Sequence, residues 1–282
     1  MSNKVGPGRS RARAKAGSVS VRRGILVSYA LWPWRRARLE ADQSSTEESM
    51  TGPVFTSDIP VAHQAANVRA QFLTKVYTHL VAAVGAFMAV EVALFMGGAA
   101  EGLYNMLSRA RGTWLVMLGG FMVVNWIGSQ AANNLANRQA QYLGLFGIAA
   151  AEAVIFAPFL YYVFNTDGAG TVASAAAITV VGFAGLTAVG MFTSKDLSVL
   201  RPLVMWGSIV ALLAIVGSVI FGANLGVWFS VAMVGLAGAA ILYQTQSIMK
   251  RYPEWAYVGA AVQLFGSLMT MFWYVLRIMS RR

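Results

Sequence analysis

Residues 143–164 read LGLFGIAAAEAVIFAPFLYYVF, and this stretch decides what kind of protein the chain can be. It is a continuous apolar run that carries one acid, Glu152, and one proline, Pro158. A helix needs roughly 20 mostly apolar residues to cross the hydrocarbon core of a bilayer, and this run supplies them. The helices of a soluble all-α bundle each keep a polar stripe toward water, which these residues lack, and the chain offers too little other protein to bury them as core helices. Six further runs of the same kind occur at 76–98, 114–132, 171–192, 202–221, 225–244 and 255–278, with short polar punctuation between them. The expected fold is all-α, an integral membrane bundle of seven transmembrane helices. Glycines inside the runs, Gly182, Gly185 and Gly190, and again Gly235 and Gly238, suit close helix approach in lipid, where no hydrophobic force drives helices together.

Composition agrees. The chain is 57% hydrophobic and 12% charged, with a mean hydropathy of +0.58, a surface no ordinary soluble domain tolerates. The net charge of +11 resembles a nucleic-acid signal until it is located, because ten of the Lys and Arg residues, and no acid, fall within residues 1–39. No nucleic-acid partner is expected. Residues 1–65 read as a basic, polar tail and 66–282 as the membrane domain. The tail's apolar run at 24–34 is too short for a secretory signal and is followed by Arg35, Arg36 and Arg38. So biased a segment buries too little to fold and reads as disordered, or Met50 is the true start. The other reading is a basic and aromatic patch on the membrane surface. With no cysteine in the chain, disulfides, thiolate nucleophiles and Cys-ligated metals are excluded.

Lys and Arg in short loops set orientation. With the amino terminus inside, inner loops hold Arg138, Lys195, Arg201, Lys250 and Arg251, and outer loops hold Arg109 and Arg111. The carboxyl end, with Arg277, Arg281 and Arg282, argues the other way, and Arg69 and Lys75 tip the balance to a cytoplasmic amino terminus.

Ionisable groups inside a bilayer are costly and mark function by default. Glu152 sits mid-run and suits proton sensing or transient cation binding; its alternative is a neutral carboxyl bonded to a neighbouring helix. Glu91, late in the first run, reads first as a solvated end residue and second as an ion-pathway group. Pro158 withholds a backbone donor just beyond Glu152, where freed carbonyls could line a cavity. Gln244, Thr245 and Gln246 close the sixth run, either bonding across helices or forming an interfacial cap with Tyr243. Gln263, Ser267 and Thr270 recur at spacings of four and three on one face of the last run. Enzyme templates fail: His63 and His79 are the two histidines, His79 reads as a satisfied interfacial residue, and no phosphate-binding or dinucleotide fingerprint appears. Neither a catalytic residue nor a cofactor or metal site is expected.

Five segments in order resemble the Bax inhibitor-1-like, or transmembrane Bax inhibitor motif, family: 72–77 (FLTKVY), Glu152 to Pro158, 193–198 (TSKDLS) with its loop residues Lys195 and Asp196, 242–246 (LYQTQ) and 274–277 (YVLR). The resemblance implies a divergent bacterial-type member, a seven-helix bundle with the last helix central, set in the inner membrane. It implies a calcium- or proton-type cation leak, or else a non-conducting protein that modulates a membrane protease or stress response. In the family's leak mechanism two aspartates, from the sixth and seventh helices, share a proton and latch to an arginine from the second. Here those acid positions align with Gln244 and Ser267, and the second run has no charge. Losing the whole latch together is coherent, since removing one partner strands a buried charge. A neutral pair binds divalent ions poorly, so altered gating is expected, with Glu152, Glu91, Gln244, Gln246 and Ser267 as pathway candidates.

Overall fold

The computed structural model describes residues 60–109, 111–134 and 137–280. The readings made for the tail up to residue 59, for Met50 as a start, and for Arg281 and Arg282 lie outside the described residues. Eight α-helices are present among the described residues: α1 (Ala66–Met96), α2 (Ala99–Arg109), α3 (Arg111–Ala132), α4 (Arg138–Thr166), α5 (Ala169–Phe192), α6 (Leu200–Phe221), α7 (Gly226–Arg251) and α8 (Tyr257–Met279). All except α2 belong to stretches long and apolar enough to cross a membrane, which makes seven spans. The chain therefore alternates between two ends of the bundle. The near end holds the start of α1 and the α3–α4, α5–α6 and α7–α8 connections; the far end holds α2, the α4–α5 and α6–α7 turns, and the end of α8.

Helices outrun their apolar stretches. α1 begins at Ala66 rather than at residue 76, because a helix continues into the interfacial layer, where Arg69 and Lys75 reach water. Ahead of it, Val61 is buried and its backbone N–H donates to the Tyr252 carbonyl at 2.9 Å, so packing starts before α1. α2 is an amphipathic helix that the apolar-run reading does not anticipate. Glu101 in its first turn and Arg109 in its last complement the helix dipole. Its buried Ala100 and the Tyr104 ring, 5.6 Å from Tyr161, dock it on α4.

Large apolar side chains face outward: Met96, Phe192 and Trp228 are at least 85% exposed. In water this would be an aggregating surface; in a bilayer it is the lipid contact. Inward, Phe72, Val76, Leu145, Ile148, Ile241, Leu264, Phe265 and Leu276 form the core between α1, α4, α7 and α8. Of the most apolar stretch of the α8 span 67% is buried, against 6% for the span that contains α6, and α8 touches α1, α3, α4, α5 and α7.

α3 and α4 approach closely where Gly128 meets Gly144. A Cβ on Gly144 would stand 2.5 Å from the Gly128 carbonyl oxygen, so small residues set that distance, as membrane packing requires. At the far end, Gly222 ends α6 with φ of 68°, the left-handed cap that glycine adopts without strain.

Candidate functional site

Two cavities and two hydrogen-bonded clusters contain the residues that can carry chemistry. The larger cavity, about 670 Å³, opens at the far end beside Leu107, Ser108 and the 222–225 turn. It reaches inward to Glu152, which is midway along α4 and 8% exposed. α8 contributes Thr270, Trp273, Tyr274 and Arg277 to its wall, and α3, α4, α6 and α7 supply the rest. Glu152 and Arg277 are the carboxyl and guanidinium groups on this lining. A helix rises 1.5 Å per residue, so Glu152 lies roughly 20 Å below either end of α4. The cavity therefore carries polar groups from the end of the bundle to mid-span.

The near half holds the two hydrogen-bonded clusters. There Ser267 on α8 donates from its Oγ to Gln244 Oε1 on α7 at 2.9 Å, and Ser267 is buried. The two positions that the family resemblance aligns with an acid pair are thus in direct contact, and the bond between them is neutral. Thr270 instead turns its hydroxyl back to the Gly266 carbonyl of its own helix at 2.8 Å, and Gln263 donates to the Tyr252 hydroxyl. Of the polar stripe on α8, Ser267 makes the bond across to α7.

Two residues further along α7, Gln246 bonds to the 193–198 loop. Its Nε2 donates to the Lys195 carbonyl at 2.7 Å, and its Oε1 accepts from the Leu197 N–H at 2.8 Å. A buried side-chain amide that serves one backbone acceptor and one backbone donor holds the loop in register. Within the loop, Asp196 accepts from the Ser198 N–H at 3.0 Å and from the Ser198 hydroxyl at 2.8 Å. Those bonds, the backbone one foremost, hold its carboxyl below the usual aspartate range. Lys195 contributes its backbone carbonyl here, and Asp196 acts as the local cap; both serve the loop's shape.

His79 is satisfied. Its Nδ1 lies 2.6 Å from the Lys75 carbonyl, its Nε2 lies 3.3 Å from the Tyr142 hydroxyl, and its ring stacks on Tyr142.

Glu91 corrects the solvated-end reading: it is 7% exposed, and neither carboxyl oxygen has a hydrogen-bond partner among the described residues. The cause is helical register. Phe72, Val76, Leu80, Ala83, Phe87 and Glu91 recur at spacings of three and four and form the buried face of α1. Glu91 borders a second, apolar cavity of about 310 Å³. Buried Met269 of α8 lines both cavities and stands between them.

Arg277 and Tyr274 were not singled out from sequence as cavity residues. The signal was available, since the stripe of Gln263, Ser267 and Thr270 continues at spacings of four and three to Tyr274 and Arg277. No group of three or more His, Asp or Glu side chains that could hold a metal ion converges among the described residues.

The family model described as Inhibitor of apoptosis-promoting Bax1 matches residues 69–282. A protein of Pseudomonas aeruginosa that bears the name uncharacterized is 34% identical over 113 residues, 40% of this chain. That match spans 50% of the relative's length.

Proposed function

The chain belongs to the Inhibitor of apoptosis-promoting Bax1 family, the Bax inhibitor-1-like proteins, and from that premise we propose that it is a cation leak of a bacterial inner membrane, gated without a charged latch. Glu152 attracts a cation, calcium or a proton, to the floor of the far-end cavity. The Gln244–Ser267 bond closes the near half in the conformation described, and opening requires α7 and α8 to part there. The amino terminus faces the cytoplasm, in line with the basic residues gathered at the near end. On this reading the chain is not an enzyme.

One observation supports the reading above the rest: Ser267 and Gln244 are 2.9 Å apart at the positions where the family's leak mechanism uses two acids. A neutral hydrogen bond has no proton to lose in the ordinary pH range, so closure is indifferent to pH at that point and any pH response falls to Glu152. The test is flux from liposomes containing the purified chain. Calcium, proton or monovalent flux above empty vesicles is the expected result. Flux equal to empty vesicles overturns the leak and leaves a non-conducting partner of a membrane protease, which co-purification with such a protease would reveal.

A further inference from the structure

The chamber around Glu91 plays no part in the leak reading and has its own character. Its walls come from α1, α4, α5 and α8, and they are apolar apart from Glu91 and Thr179. The Thr179 hydroxyl is already committed to the Ala175 carbonyl at 2.8 Å. Glu91 is more than nine-tenths buried with both oxygens unpartnered among the described residues. At the rim, Met88, Val92 and Val180 are 56% to 61% exposed on the lipid-facing surface, while Phe87, Met269 and Phe272 form the buried floor. The chamber therefore opens sideways, toward the bilayer.

A carboxyl in such surroundings is costly until an opposite charge or a donor joins it. A metal ion is a poor occupant, because the walls offer no further ring of oxygen donors. A ligand with one cationic nitrogen on a compact apolar body suits both the carboxyl and the walls. The volume of about 310 Å³ is at the lower end for small-molecule sites, which excludes a two-chain lipid. We propose that this chamber is a lateral binding site for small lipophilic amines, which enter from the bilayer between α1 and α5 and pair with Glu91.

The experiment uses the full chain in phosphatidylcholine nanodiscs, titrated with n-octylamine and, as a neutral probe of equal length, 1-octanol, with empty nanodiscs subtracted. Octylamine is expected to bind about tenfold or more tightly than octanol, the scale of one charge-assisted hydrogen bond. Glu91→Gln should reduce octylamine to the octanol level. Ala176→Phe, which fills the chamber and leaves the carboxyl in place, should abolish binding of both. Equal affinity for the two probes in the unaltered chain overturns the proposal, as does full octylamine preference in Glu91→Gln. Should Glu91→Gln not fold, Ala176→Phe decides: octylamine preference surviving there places the amine elsewhere. Liposome flux is a separate readout, so a non-conducting protein that binds octylamine would refute the leak alone.

Discussion

Glu152 lines the far-end cavity near mid-span, and its carboxyl is the group a cation would find there. Glu152→Gln keeps the shape and removes the charge. Flux is expected to fall about tenfold, since a nearby charge at a partly hydrated site is worth between about 1 and 4 kcal/mol. Any pH dependence should go with it; flux that stays the same as the unaltered protein's from about pH 5 to pH 8 would remove Glu152 from the pathway. A second prediction concerns the bond across α7 and α8. Two carboxyls set where Gln244 and Ser267 now touch cannot both ionise readily, so they share a proton. Gln244→Asp combined with Ser267→Asp should give a flux that changes with pH above the usual carboxylate range. A well-folded double variant with an unaltered pH profile would show that these positions are not the latch. At this scale the sequence was informative where polar residues repeat on one helical face and silent where the partner is backbone. Nothing in the residue types says that Gln246 bonds the Lys195 carbonyl and the Leu197 N–H, because main-chain groups look alike in every sequence.

Between elements, glycine sets the spacing unevenly. Gly182, Gly190 and Gly238 each have a neighbour that an added Cβ would press, Met271, Thr245 and Leu186 respectively, whereas Gly185 and Gly235 face open space. Sequence spacing alone cannot make that distinction, since it depends on which neighbour lies opposite. Gly144→Val should push α4 away from α3 and destabilise the protein by about 1 to 3 kcal/mol, the usual cost of overpacking. Gly147→Val on the same helix meets nothing within 4 Å and serves as the control. Thermal unfolding in detergent checks the pair, and equal melting temperatures would refute the tight α3–α4 contact. The spans themselves were legible because lipid leaves backbone groups no partner except their own helix, which forces long apolar runs. α2 was not, because its mixed polar and apolar composition reads equally well as a loop.

For the molecule as a whole, each crossing puts the connections before and after it on opposite faces of the membrane, and seven spans put the start of α1 and the end of α8 on opposite faces. The absence of cysteine makes this easy to test. Ser194→Cys lies at the near end and Ala223→Cys at the far end, and both positions are exposed. With an impermeant maleimide on intact spheroplasts, Ala223→Cys should label and Ser194→Cys should label once the membrane is permeabilised. The reverse pattern would invert the proposed orientation, and labelling of both from one face would overturn the span count.

Met269 stands between the charged vestibule and the lateral chamber. Methionine is unbranched and turns readily about several bonds, so the side chain that both linings share is a pliable one. A swivel there would reshape the walls of both rooms at once.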